Sequence, residues 1–264
     1  MIVLSCLLSF ARISALHNHY HAPFNVFHHL QVYELPRLAV TVQPELAPDV
    51  DATLPHAEFA KSLERDRALP LDGLVPLDLR LCIGKEWHRY PSSWLVPDEV
   101  EPRFIKSAFD GILPKGWEAP GKGKGLFDRA TATVPSGMNM YNREEADRYV
   151  RPRFGLSFFE PPAARMLTWR RNARTQVDIS TCDYLVDVDF PARSNSPLEP
   201  RYVNDSEHWD RAFCHPFLDA ETSPRLTRAV NLPLPGWNKR NNWGEYCLLR
   251  RKGLYKDSRA KLLL

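Results

Sequence analysis

Leu77-Asp78-Leu79-Arg80-Leu81-Cys82-Ile83-Gly84-Lys85-Glu86-Trp87-His88-Arg89-Tyr90-Pro91-Ser92-Ser93-Trp94 is the stretch from which the rest of the chain is best read. Its first half alternates: Leu77, Leu79, Leu81 and Ile83 are interleaved with Asp78, Arg80 and Cys82, the period of a half-buried β-strand. Gly84 ends the alternation. The segment after it crowds cations, a carboxylate, aromatics and hydroxyls into a short turn. Such residues seldom gather merely to fill a core, because their polar tips need partners. A surface loop pinned by Trp87 and Trp94 is the plainer reading of the same residues.

A second alternating run, Tyr184, Val186, Val188 and Phe190 against Asp183, Leu185, Asp187 and Asp189, predicts another strand. Period two puts Asp187 and Asp189 on one face, expected to be solvated. Glu245 to Arg250 and Ala229 to Leu232 read as further strands. Ser206 is placed to cap a helix with Trp209, Ala212 and Phe213 on one side, ended by Pro216. Ser223-Pro224 opens a short turn with proline at the first helical position. Residues 98 to 118 read as short helical or 3-10 pieces broken by Pro102 and Pro114, and Asn142 with Glu145 as a helix start. A helix-like piece spans Ala57 to Arg67 in an otherwise Pro-, Asp- and Ala-rich stretch.

The 264 residues suffice for a sizeable core, and a hydrophobic fraction of 44% is that of a globular protein. The 23 prolines imply many short elements and irregular connections. A formal charge of +3, without a Lys/Arg stripe, gives no argument for nucleic acid. Gly121-Lys122-Gly123-Lys124-Gly125 lacks the Lys-Ser/Thr end of a phosphate loop, and no glycine-framed serine supports a hydrolase. The five cysteines lack the paired spacing of a zinc site. Their odd number leaves at least one thiol unpaired. One internal bridge is possible in an oxidising compartment, and spacing does not say which. His17, His19, His21, His28 and His29 have no nearby carboxylate or thiol to complete a metal site. Asn204-Asp205-Ser206 is the one N-glycosylation sequon, which makes Asn204 a candidate.

Met1 to Ala11 is an apolar run about half as long as the roughly 20 residues that cross a bilayer. A signal-peptide core, a buried helix and the tail of a membrane span all fit it.

The aromatic-charged turn, with Phe104-Ile105-Lys106-Ser107-Ala108-Phe109-Asp110-Gly111-Ile112-Leu113-Pro114-Lys115, Asp178-Ile179-Ser180-Thr181-Cys182-Asp183-Tyr184-Leu185-Val186-Asp187-Val188-Asp189, and His215-Pro216-Phe217-Leu218-Asp219-Ala220 followed by Pro224-Arg225-Leu226, resembles the C-terminal lumenal region of endoplasmic-reticulum α-1,2-mannosyltransferases of asparagine-linked glycosylation, in glycosyltransferase family 22. The resemblance implies an enzyme that moves mannose from dolichyl-phosphate mannose to the dolichol-linked oligosaccharide without a cofactor. It implies a location on the lumenal side of the endoplasmic-reticulum membrane, and that Asp187 and Asp189 are not a metal site. The catalytic acids of that family lie in a loop that this chain does not contain, so no catalytic residue is expected here. This chain is then expected to be a fragment, probed at its 5′ end. A free-standing lumenal module that binds glycan or a partner is the alternative.

On this reading residues 1–16 are the tail of a membrane helix and 17–75 a connector and linker. Residues 76–256 are a lumenal α+β domain with an insertion at 150–177, and 257–264 a tail. The domain is expected to hold a small mixed or antiparallel sheet of about four strands with short helices on one face. Glu86, Trp87, Arg89 and Tyr90 are the candidate substrate-binding residues: Trp87 as a stacking face, Glu86 and Arg89 as bidentate partners for hydroxyls. A structural role for the same residues pairs Arg89 to Glu86 or Asp78 and puts Trp87 in the core.

Overall fold

The computed structural model describes residues 2–64, 69–89, 95–108 and 176–262. Helices α1 (Ile2–Tyr20), α2 (Ala22–His29) and α3 (Leu35–Val42) are followed by α4 (His56–Glu64). Strands β1 (Leu79–Ile83), β2 (Val100–Ile105), β3 (Gln176–Val177), β4 (Tyr184–Asp189) and β5 (Trp209–Leu218) come next. Helix α5 (Arg225–Ala229), strand β6 (Trp243–Arg251) and helix α6 (Leu254–Leu262) complete the order. No helix of the described residues is long and apolar enough to cross a membrane.

The α+β expectation and the mixed sheet are borne out, with six strands where about four were expected, in the order β3-β2-β1-β4-β6-β5. The first four are mutually parallel, and β6 and β5 are antiparallel additions. The chain moves from β1 outward to β2 and β3, then returns to lay β4 on the other side of β1. That reversal makes the gap between β1 and β4 a topological switch point, where open sheets leave a crevice beyond the carboxyl ends of their strands. Gly244 is required where β6 meets β4, because a Cβ there would lie 2.2 Å from the Asp189 carbonyl.

One face of the sheet, carrying Leu81, Ile83, Tyr184, Val186, Tyr246 and Leu248, packs against α2, α3 and α6 through Phe27, Leu30, Leu35, Leu38 and Leu254. The stretch read as connector and the terminal tail thus supply the helical layer of the core. Pro36 has no N–H to return to the Val32 carbonyl. The chain ahead of it widens into a π-helical turn, Leu30–Glu34, with the Leu35 N–H on the Leu30 carbonyl. The wide turn leaves Glu34 buried, and its charge is met by Arg250 at 3.2 Å and by the Tyr255 hydroxyl, which donates at 2.8 Å.

The opposite face is covered by loops. Cys82, Cys182, Leu185, Val203, Trp209, Cys247 and Leu249 form a small apolar cluster there. Two disulfides, Cys82–Cys182 and Cys214–Cys247, join it, one more than the sequence suggested, and leave Cys6 as the free thiol. Strand β1 is therefore buried on both faces rather than one.

Three local expectations are overturned. The helix after Ser206 is strand β5: its apolar residues fit a helical spacing only because a bulge between Arg211 and Phe213 breaks the alternation, and pairing with β6 prevails. The helical pieces at 98–118 give way over Val100–Ile105 to β2. Pro102 is tolerated there because β3 reaches only Phe104 and Ile105, so that among the described residues no strand pairs with the outer side of β2 at the proline. Residues 230–232 form no strand; α5 takes Ala229, with Pro224 as its cap, and Asn231 bonds to α1 instead. The helix start at Asn142, the Gly121–Gly125 loop and most of the 150–177 insertion lie outside the described residues.

Candidate functional site

A cleft of about 370 Å³ opens at the switch point, walled by the turn after β1 and by residues 190–201 after β4. The turn holds because Gly84 lets the chain bend against Ile105 and Glu86 tucks inward, while Trp87–Arg89 forms one 3-10 turn. Glu86 is buried, and the Arg89 guanidinium grips both of its oxygens at 2.7 Å. Burial pushes the Glu86 carboxyl up, and the Arg89 charge works against that shift. Arg89 also lies over the Phe217 ring at 5.2 Å. Trp87 is half-buried, with one side on the helix-covered core and the other lining the cleft.

Lys85 reaches down to Asp187 at 3.0 Å and to the Pro200 carbonyl at 3.3 Å. Asp187 also accepts the Val203 N–H at 3.2 Å. Burial raises its pKa to about 6 despite the Lys85 charge. Asp189 is met by Arg201 at 3.2 Å. The sequence reading of a solvated Asp187/Asp189 face is therefore corrected: the loop after β4 folds back over both side chains, leaving Asp187 2% exposed. Arg193, over the Phe190 ring, is forked onto Asp219 and bonded to Glu221 at 2.9 Å. Burial would raise the Asp219 carboxyl. The Arg193 bonds, the Thr222 hydroxyl and the Glu221 N–H outweigh burial and hold it at about 2.

Of the four residues singled out from sequence, Glu86, Trp87 and Arg89 come together in one wall, and Tyr90 lies outside the described residues. Their ion pair matches the structural reading, while the position of Trp87 and Arg89 on the cleft keeps the binding one open. Asn204 is exposed on a 3-10 turn beside the cleft, donating to Asp189 at 3.4 Å. Sequence reasoning missed Lys85, Arg193, Arg201 and Asp219. Lys85, Arg193 and Asp219 carry one sequence signal, a position within a few residues of a strand's carboxyl end, and Arg201 lacks even that. Among the described residues one trio of potential metal ligands lies together, Cys214, Glu245 and Cys247, and its sulfurs are bonded to each other.

The architecture is thus a mixed α+β domain with a polar cleft at the ends of its parallel strands. No family model and no solved structure matches it. Curated proteins from animals, fungi and a plant do, at 28–38% identity, and all are named α-1,2-mannosyltransferases. The mouse protein, alpha-1,2-mannosyltransferase ALG9 of Mus musculus, is 38% identical over 156 residues, 59% of this chain and 20% of the relative. The Caenorhabditis elegans protein algn-9 is 33% identical over 66% of this chain and 24% of its own length. The Drosophila melanogaster protein Alg9 is 28% identical over 96% of this chain and 29% of its own. The resemblance to α-1,2-mannosyltransferases read from the four blocks is borne out. The chain spans between a fifth and a third of the length of these relatives.

Proposed function

We propose that this chain is the non-catalytic C-terminal part of an α-1,2-mannosyltransferase that adds mannose to a lipid-linked oligosaccharide, and that the switch-point cleft receives sugars of that acceptor. Donor and setting follow the family resemblance: dolichyl-phosphate mannose, at the lumenal side of the endoplasmic-reticulum membrane. The names of the relatives support the transferase reading, and two disulfides suit an oxidising lumen.

The observation that carries the cleft assignment is its charge balance. Lys85, Arg89, Arg193 and Arg201 are each held by a carboxylate: Asp187, Glu86, Asp219 and Asp189. Guanidinium groups so engaged offer remaining N–H donors but little net positive field. An anion gains little there, whereas a neutral polyol finds fixed donors and acceptors beside the Trp87 ring. The cleft also lies close to α1: Arg89 stacks on Phe217, and Phe217 meets Tyr20 of α1 at 5.8 Å. A lipid-linked glycan would approach from that side.

The test is titration with a soluble mannose oligosaccharide, with inorganic phosphate as the comparison. Glycan should bind, phosphate should not, and Trp87→Ala, verified as folded, should weaken the glycan by about tenfold. Unchanged affinity in Trp87→Ala would remove the cleft from consideration.

A further inference from the structure

Two segments far apart in sequence, α1 and residues 224–243, meet on one side of the molecule. Ala11, Ala15 and His19 form the buried stripe of α1. Against it, the Asn231 N–H donates to the Ala11 carbonyl at 3.0 Å and its side chain to the Ser14 hydroxyl at 3.1 Å. The Tyr20 hydroxyl donates to the Arg228 carbonyl at 3.3 Å, and Trp243 meets His19 edge-on at 5.4 Å. Beyond this belt every residue from Ile2 to Phe10 is exposed, with Leu4 and Leu8 on the face that carries the buried stripe and Val3, Leu7 and Phe10 turned well round from it. A protein groove covers one stripe of a helix. An apolar arc wider than one stripe calls for a medium rather than a groove.

Where the second segment leaves the belt it is also apolar at the surface: Leu226 and Leu234 are 62% and 56% exposed. Charge separates just as sharply. Residues 2–33 and 224–244 contain no aspartate or glutamate, while Arg12, Arg225, Lys239 and Arg240 are exposed within them. The chain as a whole is almost balanced, with 35 Lys and Arg against 32 Asp and Glu. The concentration of one sign on the two segments that pack together is therefore a local property.

We propose that residues 224–243 form a collar lying on an anionic phospholipid surface at the base of α1. Leu226 and Leu234 dip into the interface, and Arg225, Lys239 and Arg240 face lipid phosphates. The inference rests on the membrane setting proposed above and adds a second, charge-dependent contact to it. The collar joins the cleft directly: the Arg228 guanidinium bonds the Ala220 carbonyl, next to the Asp219 that holds Arg193. Docking would fix the cleft at a set height above the lipid.

The test uses the whole chain with an environment-sensitive fluorophore either on Cys6, the free thiol, or at position 234 in a Cys6→Ser/Leu234→Cys variant. Vesicles are phosphatidylcholine alone or mixed with phosphatidylserine, with headgroup nitroxide lipid as quencher. The Cys6 probe should enter both vesicles. The position-234 probe should become shallowly buried only when phosphatidylserine is present. Arg225→Glu/Lys239→Glu/Arg240→Glu should reduce the preference for anionic vesicles by about a hundredfold, at roughly tenfold or less per charge, without expelling Cys6. A position-234 probe that stays in water while Cys6 enters overturns the collar and leaves the membrane setting intact. A Cys6 probe that stays in water on both vesicles overturns the setting and the collar with it. Anionic preference that survives the charge reversal overturns headgroup recognition.

Discussion

The two faces of the sheet are covered by different means. Under α2, α3 and α6 the face is largely apolar, with Tyr184, Tyr246, Leu81 and Leu248 fully buried and the buried Glu34 answered by Arg250. Under the loops, apolar mass is scarce. Two disulfides and the Lys85–Asp187 and Arg201–Asp189 pairs take its place. Helices deliver a stripe of side chains per turn, whereas a loop must spend its length satisfying its own backbone. Covalent links and buried ion pairs fix such a cover with few residues. They also place charged groups at its rim, where the cleft opens.

The comparison is broken most severely by Lys85→Met. It strands the Asp187 carboxylate in a buried site and should cost about 3–5 kcal/mol in denaturant unfolding, most of it recovered by adding Asp187→Leu. A single substitution no more costly than a surface change, about 0.5 kcal/mol, would show that the loop-covered face does not depend on its ion pairs. Removing the Cys82–Cys182 bridge as a double alanine variant comes next. The closed loop of 100 residues predicts a loss towards the upper end of about 2–5 kcal/mol. Leu248→Ala on the helix-covered face should cost a similar amount, about 2–5 kcal/mol, through a cavity. That loss relative to the parent persists in reductant, whereas the double-alanine loss vanishes once the parent is reduced too. A double-alanine loss that persists against the reduced parent would erase the distinction.

The smallest effect concerns pH. Asp219, held at about 2 against an ordinary 3.8, stabilises the fold above its ordinary value, and that contribution fades as pH falls towards 2. Asp187, raised to about 6, has the opposite sign: ionisation costs stability above that pH, and the cost disappears as pH falls through 6 towards 3.8. Asp219→Asn should therefore be less stable than the parent by about 1–2 kcal/mol near neutrality, with the gap closing in acid. A gap that does not change between neutrality and acid would mean that Asp219 acts by shape rather than charge.

Strands whose neighbours lie on both sides without interruption were legible: β1, β4 and β6 kept their period, and Glu245 to Arg250 fell within Trp243–Arg251. Those shaped by a partner were not. The bulge in β5 hid its alternation, and Pro102 argued against β2 until the short reach of β3 was known. The cleft was half legible for the same reason. Glu86, Trp87 and Arg89 stand together in sequence, so their crowding could be seen. Arg193 and Arg201 come from the loop after β4 and Asp219 from the end of β5, and only the folded chain pairs Arg193 with Asp219 and Arg201 with Asp189.

The place where the chain leaves β2 has a consequence for how this fold can change. Ile105 and Val177 are register partners on adjacent parallel strands, so the sheet is interrupted in sequence by some seventy residues but not in space. A parallel crossover needs only about a dozen residues, and each doubling of a loop adds only about 0.6 kcal/mol of closure entropy. The Cys82–Cys182 bridge secures the return on the far side of that interval. The position is a port: lineages can lengthen or shorten what enters there while the sheet, and the cleft at its end, keep their geometry.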